Sequence, residues 1–353
     1  MRLVVADGQE QAWPALGGVV AHDVRDPRQR QNVLFRKGAA LAAAQLDQLR
    51  ALGVGEVHLL VPDDGDLAED VAAETLASAV VGPGVRAAAA RHGQVTLTAE
   101  SRGFLRVRRD VLDAVNGCDG VLVFTAEADR PTDADLPVGA VKCAPLLLGS
   151  GTAARVRQIC QDNGPVIDVV PFVPRRAALV ILDRFGETTR DRARTSLSSA
   201  LRWYGSTLDV VVTARATVAD VVAAYQEALA SGADLLFAAG AAATDPADVL
   251  FDGLRQTGGA VEQIGIPADP GTACWIGQIA GRPILGLASC ELFGRPGALD
   301  VLLPRILSGE PLDRALLRRV AYGGLVLGGP PRLPPYHEAP EAEAETETET
   351  VAV

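Results

Sequence analysis

The run Ala178-Leu179-Val180-Ile181-Leu182 contains no polar residue. A strand with one wet face alternates polar and apolar side chains. A strand without alternation is covered on both faces, as in parallel sheets flanked by helices. A second apolar run, opened by one aspartate, Asp234-Leu235-Leu236-Phe237-Ala238-Ala239, follows later in the chain. Between them the pattern predicts a helix over about 194–204 that stops at Gly205, and a strand at 209–213. A helix then opens at Thr217, with Asp220 three residues on in a capping-box variant. Its apolar positions Val218, Val221, Val222, Tyr225 and Leu229 form one stripe. Strand-like segments at 260–264, 272–279 and 283–287 and a last helix at about 298–307 complete the series. This alternation predicts an α/β fold over 175–329: a three-layer α/β/α arrangement with a mostly parallel sheet.

Residues 1–174 read differently. Short alternating segments at 19–22, 94–98, 120–124 and 140–143 are separated by turns. Two helical stretches are visible, at 42–52 and 66–81, the first ending at Gly53. This predicts an α+β region, open to division into two lobes. From Pro330 the chain is first rich in proline and then alternates Glu, Ala and Thr, with almost nothing to bury. Residues 330–353 are therefore expected to form a disordered tail.

Composition excludes several functions. The net charge is −11, and six glutamates of that total (Glu338, Glu341, Glu343, Glu345, Glu347, Glu349) lie in the tail. The rest is mildly acidic and has no basic stripe, so nucleic acid is not an expected partner. No stretch approaches about 20 continuous apolar residues, so no membrane span is expected. Charge interrupts the first residues too early for a signal peptide, which makes the cytoplasm the expected location. Cys118, Cys143, Cys160, Cys274 and Cys290 are widely spaced and odd in number, which predicts reduced and mostly buried thiols. The four histidines lie near no nucleophile motif.

The segment with most chemical content directly follows the second apolar run: Gly240-Ala241-Ala242-Ala243-Thr244-Asp245-Pro246-Ala247-Asp248. Tiny side chains let a ligand approach the backbone. The following helix start offers free N–H groups to an anion. Asp245 and Pro246 are expected as N-cap and first helical residue, with Asp248 as the third. Two carboxylates at an anion site can hold Mg²⁺, which in turn holds phosphate oxygens. A plain helix start also accounts for both aspartates. Asp269-Pro270-Gly271-Thr272 enters one strand and Gly286-Leu287-Ala288-Ser289-Cys290 leaves another, and with the Gly240 loop both are expected at one edge of the sheet. Gly149-Ser150-Gly151-Thr152 lacks the third glycine of a dinucleotide turn and reads as an ordinary strand-to-helix turn.

In this order the segments from Gly240 to Asp252, Gly258-Gly259-Ala260-Val261, Pro270-Gly271 and Gly281-Arg282-Pro283-Ile284-Leu285-Gly286-Leu287 resemble a known domain. It is the molybdopterin-binding domain shared by the molybdopterin molybdenumtransferases and the molybdopterin adenylyltransferases. Gly18-Val19-Val20-Ala21-His22-Asp23 and Arg36-Lys37-Gly38-Ala39-Ala40-Leu41 resemble the entry region of the same family.

The resemblance implies a cytoplasmic protein of molybdenum cofactor biosynthesis that binds molybdopterin, adenylated or molybdenum-loaded. It implies Mg²⁺, molybdate as co-substrate and a homodimer. Gly240, Ala241, Ala242, Ala243 and Thr244 would cradle the pterin phosphate, with Asp183, Pro270, Gly271 and Ser289 as further contacts. Asp245 and Asp248 would hold the metal and serve the reaction. The chain departs from the family pattern at several of these points. Alanines fill the phosphate loop, Thr272 and Ala273 replace a lysine-bearing turn, and Ala288-Ser289-Cys290 replaces a Pro-Gly-Asn turn. The same pocket also suits a non-catalytic carrier or sensor of the cofactor. A nucleotide-binding domain of another kind is a third reading.

Overall fold

The computed structural model describes residues 2–7, 18–29, 31–240, 247–292, 294 and 296–324. The chain divides into two compact units. The first comprises 1–101, 105–129 and 133–169, and the second 102–104, 130–132 and 170–353.

In the first unit, strands Val121–Thr125, Pro137–Cys143, Gln94–Ala99 and Val85–Ala87 form a four-stranded antiparallel sheet in that spatial order. Val121, Val123, Val141, Cys143, Val95 and Leu97 turn to one face. There they meet helices Glu69–Val80, Arg109–Asn116 and Ser150–Asn163 through Leu76, Val80, Val111, Val115 and Val156. The helix Arg109–Asn116 is not evident from sequence. It has eight residues and buries only Val111 and Val115, too little repetition for a helical period to show. The helix Ser150–Asn163 follows Gly149 directly, so Gly149–Thr152 is the strand-to-helix turn expected. Nearby, Asp168 has a side chain only 4% exposed and accepts hydrogen bonds from Arg106 Nε at 2.7 Å and Arg108 Nη1 at 3.2 Å. A smaller antiparallel sheet joins Arg2–Asp7, Glu56–Val61 and Val19–Val20 over a cluster of Val20, Val24, Leu41, Leu49, Val57 and Leu59.

The elements of the second unit are β1 (Arg176–Leu182), α1 (Glu187–Trp203), β2 (Thr207–Ala214), α2 (Val218–Ala230), β3 (Leu235–Ala239), α3 (Val249–Gln256), β4 (Ala260–Ile264), β5 (Trp275–Ile279), β6 (Arg282–Leu287), α4 (Ser289–Leu292), α5 (Ala298–Leu307) and α6 (Arg314–Val320). The strands lie in the order β2-β1-β3-β6-β5-β4. The pairs β1–β2, β1–β3 and β3–β6 are parallel, whereas β5 runs antiparallel to both β6 and β4. The sheet is therefore mixed, with β5 as the reversed strand.

Both faces of this sheet are covered. Ala177, Leu179 and Ile181 of β1 pack with α1, α5 and α6, and Ala178, Val180 and Leu182 with α2 and α3. This is the physical content of the unbroken apolar run. Helix α1 begins at Glu187, earlier than the periodicity suggests, because its first turns are polar and carry no apolar stripe. Helix α6 was not expected. It buries Leu316, Leu317 and Val320, and its Arg314 donates to the carbonyl of Glu262 on β4. All five cysteines are free thiols and four are buried. Among the described residues no helix is long and apolar enough to cross a membrane.

Candidate functional site

Strands β1, β3 and β6 are adjacent and parallel, so they end at one edge of the sheet. Ile181 pairs with Ala239, and Ala239 with Leu287. Asp183, Gly240 and Ala288 therefore leave neighbouring strands side by side. Because β5 is reversed, its entry lies at the same edge, with Trp275 opposite Gly286. The Pro270–Gly271 turn and Ser289 thus gather where Asp183 and Gly240 do. In open α/β sheets this carboxyl edge is where ligands bind.

Ala241, Ala242, Ala243, Thr244 and Asp245 lie outside the described residues, as does Pro246. Gly240 is described and has φ +112°, a conformation that favours glycine. A Cβ there would sit 2.8 Å from Leu182 Cβ, so part of the reason for glycine is close packing on β1. Gly271, with φ +119°, is pressed in the same way against Ala298, whose Cβ would lie 2.5 Å from an added Cβ.

The helix after the Gly240 loop starts later than the sequence suggests. Asp248 is the N-cap and Val249 the first helical residue, in place of an N-cap at Asp245 with Asp248 inside the helix. Asp248 is 8% exposed. Its Oδ1 accepts from the Leu250 N–H at 2.9 Å, and its Oδ2 faces Arg184 Nη2 at 3.5 Å. Both carboxylate oxygens are thereby engaged. Burial, with the nearby Asp248 carboxylate, pushes the Tyr225 hydroxyl well above its ordinary range. Tyr225 in turn donates to the Leu250 carbonyl at 3.4 Å.

The sequence reading missed the cations at this edge. Arg184 follows the end of β1 and Arg215 the end of β2. Arg190 of α1 donates to the carbonyls of Asp183 and Phe185 and holds the β1 exit in place. Arg215 pairs with Asp220 at 2.9 Å. The signal was present as arginines one and two residues past two strand ends, but that these ends lie side by side is visible only once the strand pairing is known. Asp183 is exposed between these cations, and its N–H is bound to the Ala214 carbonyl.

Three further polar residues are buried behind the same edge: Cys274 before β5, Glu291 on α4 and Asp300 on α5. No sequence pattern marked them. Among the described residues no cluster of three or more His, Cys, Asp or Glu side chains is arranged to hold a metal ion.

No protein-family model matches the chain, and no curated protein sequence matches it. Among solved structures, similarity is found to the molybdopterin biosynthesis MoeA protein of Pyrococcus horikosii, at 14% identity over 88% of this chain and 76% of that one, with a TM-score of 0.28. A molybdenum cofactor biosynthesis protein of Pyrococcus furiosus gives 10% identity, 89% and 66% coverage and a TM-score of 0.26. The protein CinA of Thermoplasma acidophilum, described as of unknown function, gives 13% identity over 33% of this chain and 90% of its own, with a TM-score of 0.27. All three scores are low, and the likenesses do not establish a shared fold.

Proposed function

We propose that the second unit is a binding module for a small anionic ligand held at the carboxyl edge of its sheet, and that this ligand is a pterin phosphate of the molybdopterin class. The observation that carries the reading is the convergence of the β1, β3 and β6 exits with the start of α3, where Arg184 and Arg215 supply positive charge. An anion placed there meets the guanidinium groups of Arg184 and Arg215, each shared with one aspartate, while the Leu250, Phe251 and Asp252 N–H groups at the helix start are already bound to Asp248. The choice of a pterin rests on the segment resemblance from Gly240 to Leu287. In this reading Gly240, Ala241, Ala242, Ala243 and Thr244 approach the phosphate through the backbone. Asp183 and Ser289 lie within the same edge, and Pro270 and Gly271 shape its wall.

A molybdenumtransferase activity adds molybdate and a Mg²⁺ site at Asp245 and Asp248. The described donors do not fit Mg²⁺ well. Asp248 is already bound by the Leu250 N–H and by Arg184, and a lone carboxylate is a poor cage for an ion that demands octahedral oxygen donors. Carrying or sensing the cofactor is the second form of the function, which needs no metal at Asp248, and the homodimer implied by the resemblance belongs to either form.

The test uses the full chain, purified and mixed anaerobically with molybdopterin released from a molybdoenzyme. Tight binding that weakens at least about tenfold in Arg184→Ala is the expected result, the loss of one charge-assisted contact. No binding at all, or binding indifferent to Arg184, overturns the proposal. Release of AMP from adenylated molybdopterin with molybdate and Mg²⁺, abolished by Asp248→Asn, would instead establish the transferase.

A further inference from the structure

Behind the candidate site, three segments distant in sequence meet on one buried carboxyl group. Glu291 is 7% exposed and stands on the short helix α4 just after β6. Its Oε1 accepts from the Leu299 N–H at 3.2 Å, at the start of α5. The same oxygen lies 4.0 Å from Cys274 Sγ, within reach of the thiol. Cys274 Sγ in turn accepts from the Ala288 N–H at 3.3 Å, where the chain leaves β6. The Cys274 N–H is bound to the Gly271 carbonyl at 2.9 Å, which ties the Pro270–Gly271 turn into the same node. Packing is tight around it. A Cβ on Gly297 would lie 2.2 Å from Glu291 Oε1, and a Cβ on Gly271 would strike Ala298.

We propose that Glu291 is a positioning residue, whose buried carboxyl clamps the Pro270–Gly271 turn, the β6 exit and the start of α5 into the shape of the candidate site. The inference rests on the reading of that edge as a ligand site.

The charge balance of the node explains why the proton matters. Among the described residues the ionisable groups facing Glu291 are Asp300 on α5, Cys274 before β5 and Cys290 on α4, and none of these is a cation. Asp300 Oδ2 is occupied by the Gly297 N–H at 2.7 Å. Burial is the main cause that pushes the Glu291 carboxyl up to about 8, and the neighbouring Asp300 adds to it. The Leu299 and Ala298 N–H groups act in the opposite sense without overcoming burial. Below that value the node is held by a neutral acid. Above it a buried negative charge has no cationic partner among the described residues, and the segments must open to water or endure the charge.

The linkage has a definite sign. An unfolded glutamate ionises near 4.5 and the folded one near 8, so the folded state holds one proton more between these values. Stability falls as pH rises from about 4.5 to about 8 and levels off above, by this group's contribution.

The test is hydrogen–deuterium exchange on the full-length protein between about pH 6.5 and about 9, corrected for intrinsic chemical exchange. Peptides covering 271–275, 286–292 and 297–303 are followed in the wild type, in Glu291→Gln and in Glu291→Ala. Gln keeps the acceptor oxygen but cannot ionise. The wild type is expected to lose protection in all three peptides together, by roughly tenfold per pH unit, as pH rises from about 6.5 to about 8, and to level off above. Glu291→Gln should keep the neutral-pH pattern throughout, and Glu291→Ala should be unprotected at every pH. If Glu291→Ala fails to fold, the wild type against Glu291→Gln still decides. The same corrected pH profile in wild type and Glu291→Gln overturns the clamp. Molybdopterin binding measured on the same samples separates the two proposals. A working clamp in a protein that binds no pterin condemns the ligand and leaves the clamp standing.

Discussion

The four-stranded sheet of the first unit and the six-stranded sheet of the second bury their side chains by different rules. In the antiparallel sheet of the first unit, Val121 and Val123 point into the core, while Leu122 and Phe124 between them are 49% and 52% exposed. In β3 of the second unit all five residues are buried, with Phe237 in one core cluster and Ala238 in the other. One sheet has helices on a single face and the other on both. The consequence for function is that the second sheet has no free face to offer a ligand. That leaves the strand ends, where Asp183, Gly240 and Ala288 emerge together, as the place proposed for a ligand. The first sheet leaves a face on which Leu122 and Phe124 stand exposed.

This contrast can be broken most severely with a buried charge. Phe237→Asp and Ala238→Asp should each abolish cooperative unfolding of the second unit, because either face of β3 leads to a desolvated carboxylate without a partner, at a cost of several kcal/mol. In the first unit Val141→Asp should do the same, whereas Leu122→Asp should fold normally. Circular dichroism with calorimetry reads the difference. Tolerance of Ala238→Asp would mean that the second sheet is not covered on both sides.

A smaller effect sharpens the comparison within the first unit. Leu97 is fully buried, and Leu97→Ala should destabilise that unit by about 2–5 kcal/mol in denaturant unfolding, through lost burial and the cavity left behind. A cost below about 1 kcal/mol would show that the cluster around it is loosely packed.

The least effect is expected on the open face. Phe124→Ser should change stability by no more than about 0.5 kcal/mol, as surface substitutions do. A large loss in the isolated protein would reveal that something covers this face.

Much of the fold was legible in sequence. The unbroken runs at 178–182 and 235–239, the capped helix at Thr217 and the closing helix at Ala298–Leu307 were all read from local pattern, since covalent periodicity and capping act over a few residues. The reversed strand β5 and the late start of α3 were not. Antiparallel and parallel strands share the same local conformation, and Asp248 was preferred over Asp245 as the cap through its contacts with Leu250 and Arg184. The helix Arg109–Asn116 was missed because a two-residue buried stripe is too short to be periodic.

The site divides along the same line. By itself the sequence determined that a loop of tiny residues follows a buried strand and precedes a helix, and that such a place can receive an anion. It also determined that the chain has no basic stripe and no paired-cysteine motif. The sequence also led to the expectation that the 269–272 and 286–290 segments share an edge with Gly240; only the tertiary structure decided that Arg184 and Arg215 stand beside them and that Glu291, Cys274 and Asp300 meet behind them. These residues lie far apart along the chain, and what unites them is strand order and strand direction. Those are fixed by the packing of the whole sheet between its helices rather than by any short segment.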